Sequence, residues 1–90
     1  MSHELELFVA GDSVRSRAAR HKLERLCESR MAGSYELAVI DVEADPEAAK
    51  RADIVVTPTL IRRRPLPEVR LVGDVTDEAA ILAALDLDRR

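Results

Sequence analysis

Two runs of strand length flank one long helical segment in the first half of the chain. The run from Glu4 to Ala10 alternates and then becomes wholly apolar, and the run from Tyr35 to Val42 has an apolar centre. Between them, apolar residues recur at steps of three and four, the spacing of one helix face; they are Val14, Ala18, Ala19, Leu23, Leu26, Cys27 and Met31. A strand, a long helix and a second strand make a right-handed crossover between parallel strands, so this segment predicts an α/β fold.

Shorter elements follow. Asp45 before Pro46 is a strong local signal for the start of a helix, which is predicted over Glu47–Ala52. A β-branched run from Ile54 to Ile61 comes next and contains Pro58. Proline cannot donate to the ladder of a central strand, so we predict that Pro58 stands at the entrance of the third strand. A cis peptide bond before Pro58 would fit that position.

The last third of the chain predicts a hairpin and a final helix. Arg62 to Glu68 is predicted as a turn and Val69 to Val72 as a short strand. Thr76 is the predicted N-cap of a helix whose buried stripe comprises Ile81, Leu82 and Leu85. The order β-α-β-α-β-β-α is typical of the thioredoxin-like arrangement, with the strands ordered second, first, third and fourth across the sheet.

The composition excludes several classes of function. With 14 basic and 17 acidic residues, the 90-residue chain has a net charge of −3, the wrong sign for general attraction to nucleic acid. Phe8 and Tyr35 are the only aromatic residues, so stacking platforms for bases are missing. The sequence lacks an apolar run of membrane-spanning length and a secretory signal. We expect one domain over residues 1–90, in the cytoplasm, with neither a nucleic-acid nor a membrane partner.

The corner after the first strand lacks the residues that redox chemistry needs. It reads Gly11-Asp12-Ser13-Val14-Arg15-Ser16, where disulfide exchange would require a reactive thiolate. Cys27 instead lies on the apolar stripe, as a buried structural thiol would. His3 and His21 lack partners at metal-ligand spacing, and the three glycines are too far apart for a phosphate loop. We expect no enzymatic activity, catalytic residue, metal or cofactor.

A run of three arginines, Arg62 to Arg64, is the least ordinary feature of the sequence. Together with Arg70, it places four guanidinium groups on the hairpin of the third and fourth strands. Two interpretations stay open. The charges protect the hairpin against edge-to-edge aggregation, or they form a surface for an acidic partner, because guanidinium groups pair with carboxylates.

The second strand is predicted to lie at an edge of the sheet. Its residues include Tyr35, Leu37 and Val39. An exposed edge can accept a strand of a second partner through main-chain hydrogen bonds. The alternative, to which we give equal weight, is that the edge stays unpaired and has no binding role.

Several segments, taken in order, resemble the KaiB family of circadian clock proteins. They are Leu7–Gly11, Leu37–Val42 followed by Pro46, Thr57–Leu60, the turn from Arg62 to Arg70, Gly73–Asp77 and Leu85–Leu87. One such segment is a weak signal, but the order and spacing of all of them are specific and extend over nearly the whole chain.

The resemblance implies a non-enzymatic protein that binds the N-terminal ring of a KaiC-type ATPase and helps to set its phosphorylation rhythm. It also implies a KaiA protein or an output histidine kinase as further partners. The family's basic positions that face KaiC correspond here to Arg17, Arg62 and Arg70, and we include Arg63 beside them. The shorter loop after Gly11 and the three consecutive arginines depart from the usual pattern. They suit a relative outside the best-studied cyanobacterial type, with a circadian rhythm, a simpler timer or a stress response as its output.

The resemblance further implies two folds. One is a thioredoxin-like monomer that binds KaiC, and the other is an oligomeric resting form, a tetramer or dimer, with a rearranged C-terminal half. The positions expected to decide between them are Pro58, Gly73, Asp74, Thr76 and Asp77. Alanine favours helix over strand, and four alanines of the last helix contribute roughly 1–3 kcal/mol in total; they are Ala79, Ala80, Ala83 and Ala84. We therefore predict that the thioredoxin-like form is more populated here than in a typical clock KaiB.

Two other functions remain as alternatives. A stand-alone relative of the output kinase's sensor domain would have the same fold without switching. A thioredoxin-type enzyme is disfavoured because the corner after the first strand holds no cysteine.

Overall fold

Strands and helices alternate along the first half of the chain, and a hairpin and a final helix complete it. A computed structural model describes residues 2–88. Within that range the elements are β1 (His3–Val9), α1 (Val14–Met31), β2 (Tyr35–Asp41), α2 (Pro46–Arg51), β3 (Thr59–Arg64), β4 (Val69–Val72) and α3 (Glu78–Ala84). The predicted order β-α-β-α-β-β-α is confirmed. None of the helices in this range has the length and apolar composition that spanning a membrane would need.

The strands form one mixed sheet in the predicted order β2-β1-β3-β4. β1 runs parallel to β2, with Leu7 opposite Val39, because α1 carries the chain back across the sheet. β3 is antiparallel to both of its neighbours and pairs Leu60 with Leu7 on one side and with Leu71 on the other. One row of apolar side chains therefore crosses the sheet, and β2 and β4 form its edges.

Helices cover the two faces of the sheet unequally. A larger core of buried residues joins the sheet to α1 and α3; it includes Leu5, Leu7, Val9, Leu23, Cys27, Leu60, Ile81 and Leu85. A smaller core lies on the other face and contains Phe8, Ala52 and Ile61. Successive strand residues point to opposite faces, so Arg70, which pairs with Ile61, belongs to this second face. Because α2 has only six residues, it leaves part of that face open.

The third strand extends further than the sequence predicts. Arg62 to Glu68 is predicted as a turn, whereas β3 continues through Arg64 and the bend is confined to residues 65–68. The three arginines obscure the strand because their charge resembles that of a loop. In the fold, Arg62 is buried on the α3 side, and Arg63 pairs with Glu6 of the neighbouring strand.

Two other predictions about helix residues are wrong. Val14 and Ala18 are not part of the buried stripe of α1: both lie near the start of the helix, at the end of the sheet, and their side chains are exposed. Thr76 is not the cap of α3. Its hydroxyl donates to Asp74, and the carboxylate of Asp77 accepts from the backbone N–H of Ala79 instead.

Candidate functional site

The corner between β1 and α1 is held together by short polar side chains. Ser13 caps α1 by accepting from the backbone N–H of Ser16 at 3.2 Å. The buried Ser16 hydroxyl accepts from Ser13 Oγ at 2.9 Å and from the backbone N–H of Ala10 at 3.1 Å. Gly11 has a φ of 57°, and a Cβ there would lie 2.6 Å from Glu43 Oε1. These hydroxyls are occupied in building the turn and lack the neighbouring base that a nucleophile needs.

Cys27 lies in the second half of α1, on the side of the helix that faces the larger core, and is not part of that corner. Its side chain is fully buried, as the sequence predicts. Burial raises the pKa of the thiol to about 11, with smaller contributions from the carboxylates of Glu28 and Glu24. The reactive species in disulfide exchange is the thiolate, so this cysteine is unsuited to redox chemistry near neutral pH.

The acidic segment after β2 caps backbone groups. Asp41 Oδ1 accepts from the backbone N–H groups of Gly11 and Glu43, each at 2.9 Å, and these hydrogen bonds lower the pKa of its carboxyl. Asp45 caps α2 through the backbone N–H of Ala48. Within residues 2–88, no group of three or more histidine, cysteine, aspartate or glutamate side chains is arranged to hold a metal ion.

Arg62 does not lie on the surface, contrary to its expected place among the partner-facing arginines. Only 5% of the residue is exposed. Its Nη1 donates to the carbonyl oxygen of Ala84 at 3.1 Å, and its Nη2 donates to that of Pro67 at 2.9 Å. The guanidinium is therefore committed to the packing of α3 against the hairpin and is not available to a partner of this fold.

Arg63 lies on the α2 face of the sheet between two carboxylates. It is 2.9 Å from Glu6 Oε1, and its Nη1 also donates to Glu68. These contacts raise the pKa of the guanidinium despite partial burial, which acts in the opposite direction. The charge of Arg63 is largely compensated within the protein itself.

Arg70 and Arg17 are exposed, but the fold does not bring them together. Arg70 shares the α2 face with Arg63, and its side chain has no hydrogen bond or ion pair within residues 2–88. Arg17 lies on α1, which packs on the opposite face, and is 3.7 Å from the exposed Asp12. The four predicted arginines thus divide into one buried residue, one compensated residue and two exposed residues on different sides of the sheet.

The predicted second-partner strand, β2, does form an edge. Its candidate side chains Tyr35, Leu37 and Val39 are half-buried and pack against the larger core. The Tyr35 hydroxyl also donates to Glu28 Oε1 at 2.9 Å, which raises the pKa of the phenol. Consequently, what β2 offers to a partner is its outer backbone edge, with Glu36 and Ala38 exposed on the α2 face.

The predicted fold-determining residues gather where β4 leads into α3. Pro58 follows a cis peptide bond, and its carbonyl oxygen accepts from the backbone N–H of Gly73 at 2.9 Å. Gly73 has a φ of 94°, a conformation that favours glycine. Asp74, Thr76 and Asp77 then form the short turn that caps α3. Thus the residues before β3 and after β4 meet at one end of the sheet.

Comparisons with known proteins decide the family. A KaiB domain model matches residues 6–87. A circadian clock oscillator protein KaiB from Synechococcus elongatus is 41% identical over 83 residues, which is 92% of this chain and 81% of that protein. The circadian clock protein KaiB3 of Synechocystis sp. is 37% identical over the same shares of the two chains. The chain belongs to the KaiB family.

Solved structures support the fold of this KaiB-family chain. The N-terminal domain of Synechococcus elongatus SasA has a TM-score of 0.76 at 24% identity, and the match covers 100% of this chain and 89% of that chain. A thioredoxin from Fasciola hepatica has a TM-score of 0.78 at 22% identity, and that match covers 98% of this chain and 82% of the thioredoxin. At these identities the likeness shows the thioredoxin-like fold, as the sequence predicts.

One contributor to this KaiB-family structure was missed from the sequence. A histidine as close to the start of the chain as His3 is expected to have a solvated side chain. Instead, its Nε2 is 2.9 Å from the carbonyl oxygen of Leu85, at the end of α3. The contact joins residues 82 positions apart, so local sequence carries no signal for it.

Proposed function

We propose that this chain is a non-enzymatic regulator that binds a KaiC-type ATPase ring and modulates its phosphorylation and ATPase cycle in a clock or timer. The observation that carries the proposal is the KaiB domain match over residues 6–87. The corner after β1 supports a binding role, because serine and glycine contacts fill the place where a thiol enzyme would need a reactive cysteine. We place the protein in the cytoplasm, where such a ring would be encountered.

The open part of the α2 face is our preferred contact for the ring. Arg70 is its exposed and uncompensated cation, and Arg63 lies beside it with Glu6 and Glu68 attached. A guanidinium that is free in the unbound protein can pair with a partner carboxylate without first breaking an internal ion pair. Arg17 is a secondary candidate because it lies on the other side of the molecule. Arg62 is excluded from this surface by its burial.

A charge-reversal series tests this assignment. Binding to an immobilised KaiC-type ATPase with ATP is measured by interferometry for the natural chain, R70E, R17E and R30E. Arg30 is exposed at the far end of α1, so R30E makes the same change of charge away from the proposed surface. We expect R70E to weaken binding about tenfold, which corresponds to roughly 1.4 kcal/mol. Equal affinity of R70E and R30E would contradict the assignment.

The edge of β2 is our candidate for a second protein, such as a KaiA protein or an output histidine kinase. Since the side chains of Tyr35, Leu37 and Val39 pack inward, this partner would pair with the backbone of β2 and add a strand to the sheet. The backbone N–H of Val42 donates to Val9, and alternate residues of a strand point their N–H groups to the same side, so the N–H groups of Leu37 and Val39 point outward from β2. Slower amide hydrogen exchange at Leu37 and Val39 on addition of the second partner tests strand addition, and unchanged exchange there would contradict it.

A second fold remains part of the proposal. We propose that the thioredoxin-like form is the one that binds the ring, and that an oligomeric resting form rearranges the half of the chain containing Pro58, Gly73 and α3. The turn of Asp74, Thr76 and Asp77 would be rebuilt in that change. Size-exclusion chromatography with light scattering, with and without the ring, measures the two populations.

A sensor-like binding module is the second candidate function. The likeness to the N-terminal domain of SasA, with a TM-score of 0.76, favours it. Such a module would compete for the ring but would remain a monomer with one fold. Titration against a sensor domain, combined with the mass measurement above, separates the two candidates. A stress-response adaptor would bind neither the ring nor the sensor domain.

A further inference from the structure

Exposed apolar side chains are concentrated at one end of the sheet. Within residues 2–88, five large apolar side chains are exposed, and four of them are valines around the loop that precedes β3. This valine rim consists of Val14, Val55, Val56 and Val72. Val55 is 92% exposed and the other three are 43–73% exposed. Apolar surface gathered in this way marks a site of interaction more often than isolated exposed residues do.

Two grooves adjoin the loop. One, of about 240 Å³, lies between the start of α1 and the β4–α3 turn and is lined by Val14, Pro58 and Gly73 among others. The other, of about 440 Å³, lies beside α2 and is lined by Val42, Ile54 and Val55 among others. Val55 and Thr57 line the larger groove, and Pro58, the next residue in the chain, lines the smaller one.

The backbone of this loop has unused donors. Within residues 2–88, the N–H groups of Val55, Val56 and Thr57 make no hydrogen bond to another protein group. The loop directly precedes β3, where the hydrogen bond from Gly73 to Pro58 ends the ladder with β4. Alternate N–H groups of an extended backbone point to the same side, so two of these three donors can pair with one extended partner segment.

We infer that the valine rim and the loop of residues 55–57 bind an extended, uncharged, apolar segment of a partner protein. The side chains of an extended segment alternate between two sides, so successive residues would enter the two grooves while the segment's carbonyl groups accept from the loop. The nearby charges balance: Arg15 and Arg17 lie at the start of α1, and Asp12 and Asp74 lie close to them. A charged segment therefore gains no advantage here, unlike at Arg70.

A defined peptide tests the inference without the ring ATPase. The probe is a seven-residue peptide, blocked at both ends, in which valine alternates with glutamine. The matched peptide has serine in place of valine. Binding is followed by backbone amide NMR shifts and by amide hydrogen exchange. We expect a Kd below about 1 mM for the valine peptide only, with shifts and slowed exchange at residues 55–57.

Two substitutions locate the binding. V55S and V14S replace exposed side chains, so both should fold normally and should weaken binding about tenfold. L66S is the matched control, since Leu66 is the remaining exposed apolar side chain of the five and lies at the opposite end, in the β3–β4 turn. It should bind like the natural chain.

Three results would overturn the inference. They are an absence of binding up to 1 mM peptide, shifts centred on β2 or on the hairpin turn, and equal affinity of V55S and L66S. Self-association that V55S abolishes would identify a second copy of this chain as the occupant and would equally reject a foreign segment. Because no ring is present, each of these results leaves the proposed binding to a KaiC-type ATPase to be judged separately.

Discussion

Arg62 Nη1 donates to the carbonyl oxygen of Ala84 at 3.1 Å and so ties the third strand to the C-terminal end of α3. The carbonyl groups at a helix end lack partners within the helix and carry partial negative charge, which a cation stabilises. His3 Nε2 lies 2.9 Å from the next carbonyl oxygen, that of Leu85. The final helix is thus held by the first strand and by the hairpin, both distant from it in sequence.

The R62M variant should loosen α3. It removes two hydrogen bonds from a buried guanidinium, to Ala84 and Pro67, while keeping an apolar side chain of similar length. We expect unfolding by urea to show a loss of about 1–3 kcal/mol. Hydrogen exchange should accelerate first in α3. R64M is the control: Arg64 is exposed, and its replacement should change stability by less than about 0.5 kcal/mol. A similar loss in both variants would show that Arg62 does not anchor the helix.

The alanines of α3 can now be separated by burial. Ala79 and Ala83 are exposed, whereas Ala84 is buried, so a larger residue at position 84 would disturb the core. The double variant A79V/A83V should make the helical form about 1 kcal/mol less stable, because valine has a lower helix propensity than alanine. We expect its oligomeric fraction to rise in light scattering. An unchanged fraction would show that helix propensity does not set the balance between the forms.

Releasing Arg63 should strengthen binding to the ring. Glu68 pairs with Arg63 at the surface, so E68Q leaves the guanidinium with fewer internal partners and removes a negative charge from the proposed contact. Stability should change by less than about 1 kcal/mol, while affinity should rise up to about fivefold. E28Q, which removes a carboxylate bonded to Tyr35 on the other side, is the control. If E68Q and E28Q bind equally, Arg63 lies outside the contact.

Asp41 should contribute to stability at neutral pH and lose that contribution in acid. Hydrogen bonds from the backbone N–H groups of Gly11 and Glu43 lower the folded pKa of its carboxyl below the ordinary value. The stabilisation is therefore fully present above the unfolded pKa and disappears as the pH falls through the lower folded pKa. D41N should have a lower urea midpoint than the natural chain at pH 7, and the two should converge in acid. E36Q, at an exposed carboxylate of the same strand, should follow the natural chain throughout. A constant difference between D41N and the natural chain at every pH would contradict this account.

The elements were predictable where one local rule applied. The stripe from Ala19 to Met31 identified α1, and Asp45 with Pro46 identified the start of α2. The order of strands followed from the crossover and the hairpin. The end of β3 was not predictable in this way, because the burial of Arg62 depends on the carbonyl group of Ala84, which reaches it only through the tertiary fold.

The candidate surface was less predictable than the fold. A run of arginines indicates charge, but whether each charge is free depends on residues elsewhere. Glu6 compensates Arg63 from a strand 57 positions away in sequence. The exposure of Val14 and Val55 was not predictable for a related reason. An apolar residue in a sequence normally predicts burial, but these two lie where an element begins or a loop runs, outside the reach of the core, and that position is known only from the fold.

Binding to the ring is the claim that the rest of the proposed function requires. The most direct measurement is size-exclusion chromatography with multi-angle light scattering on a mixture of this chain, a KaiC-type ATPase and ATP. The account predicts that the natural chain and R30E elute with the ring and increase its mass, and that R70E elutes mainly as free protein. Separate elution of the natural chain and the ring, at concentrations where both are folded, would contradict it.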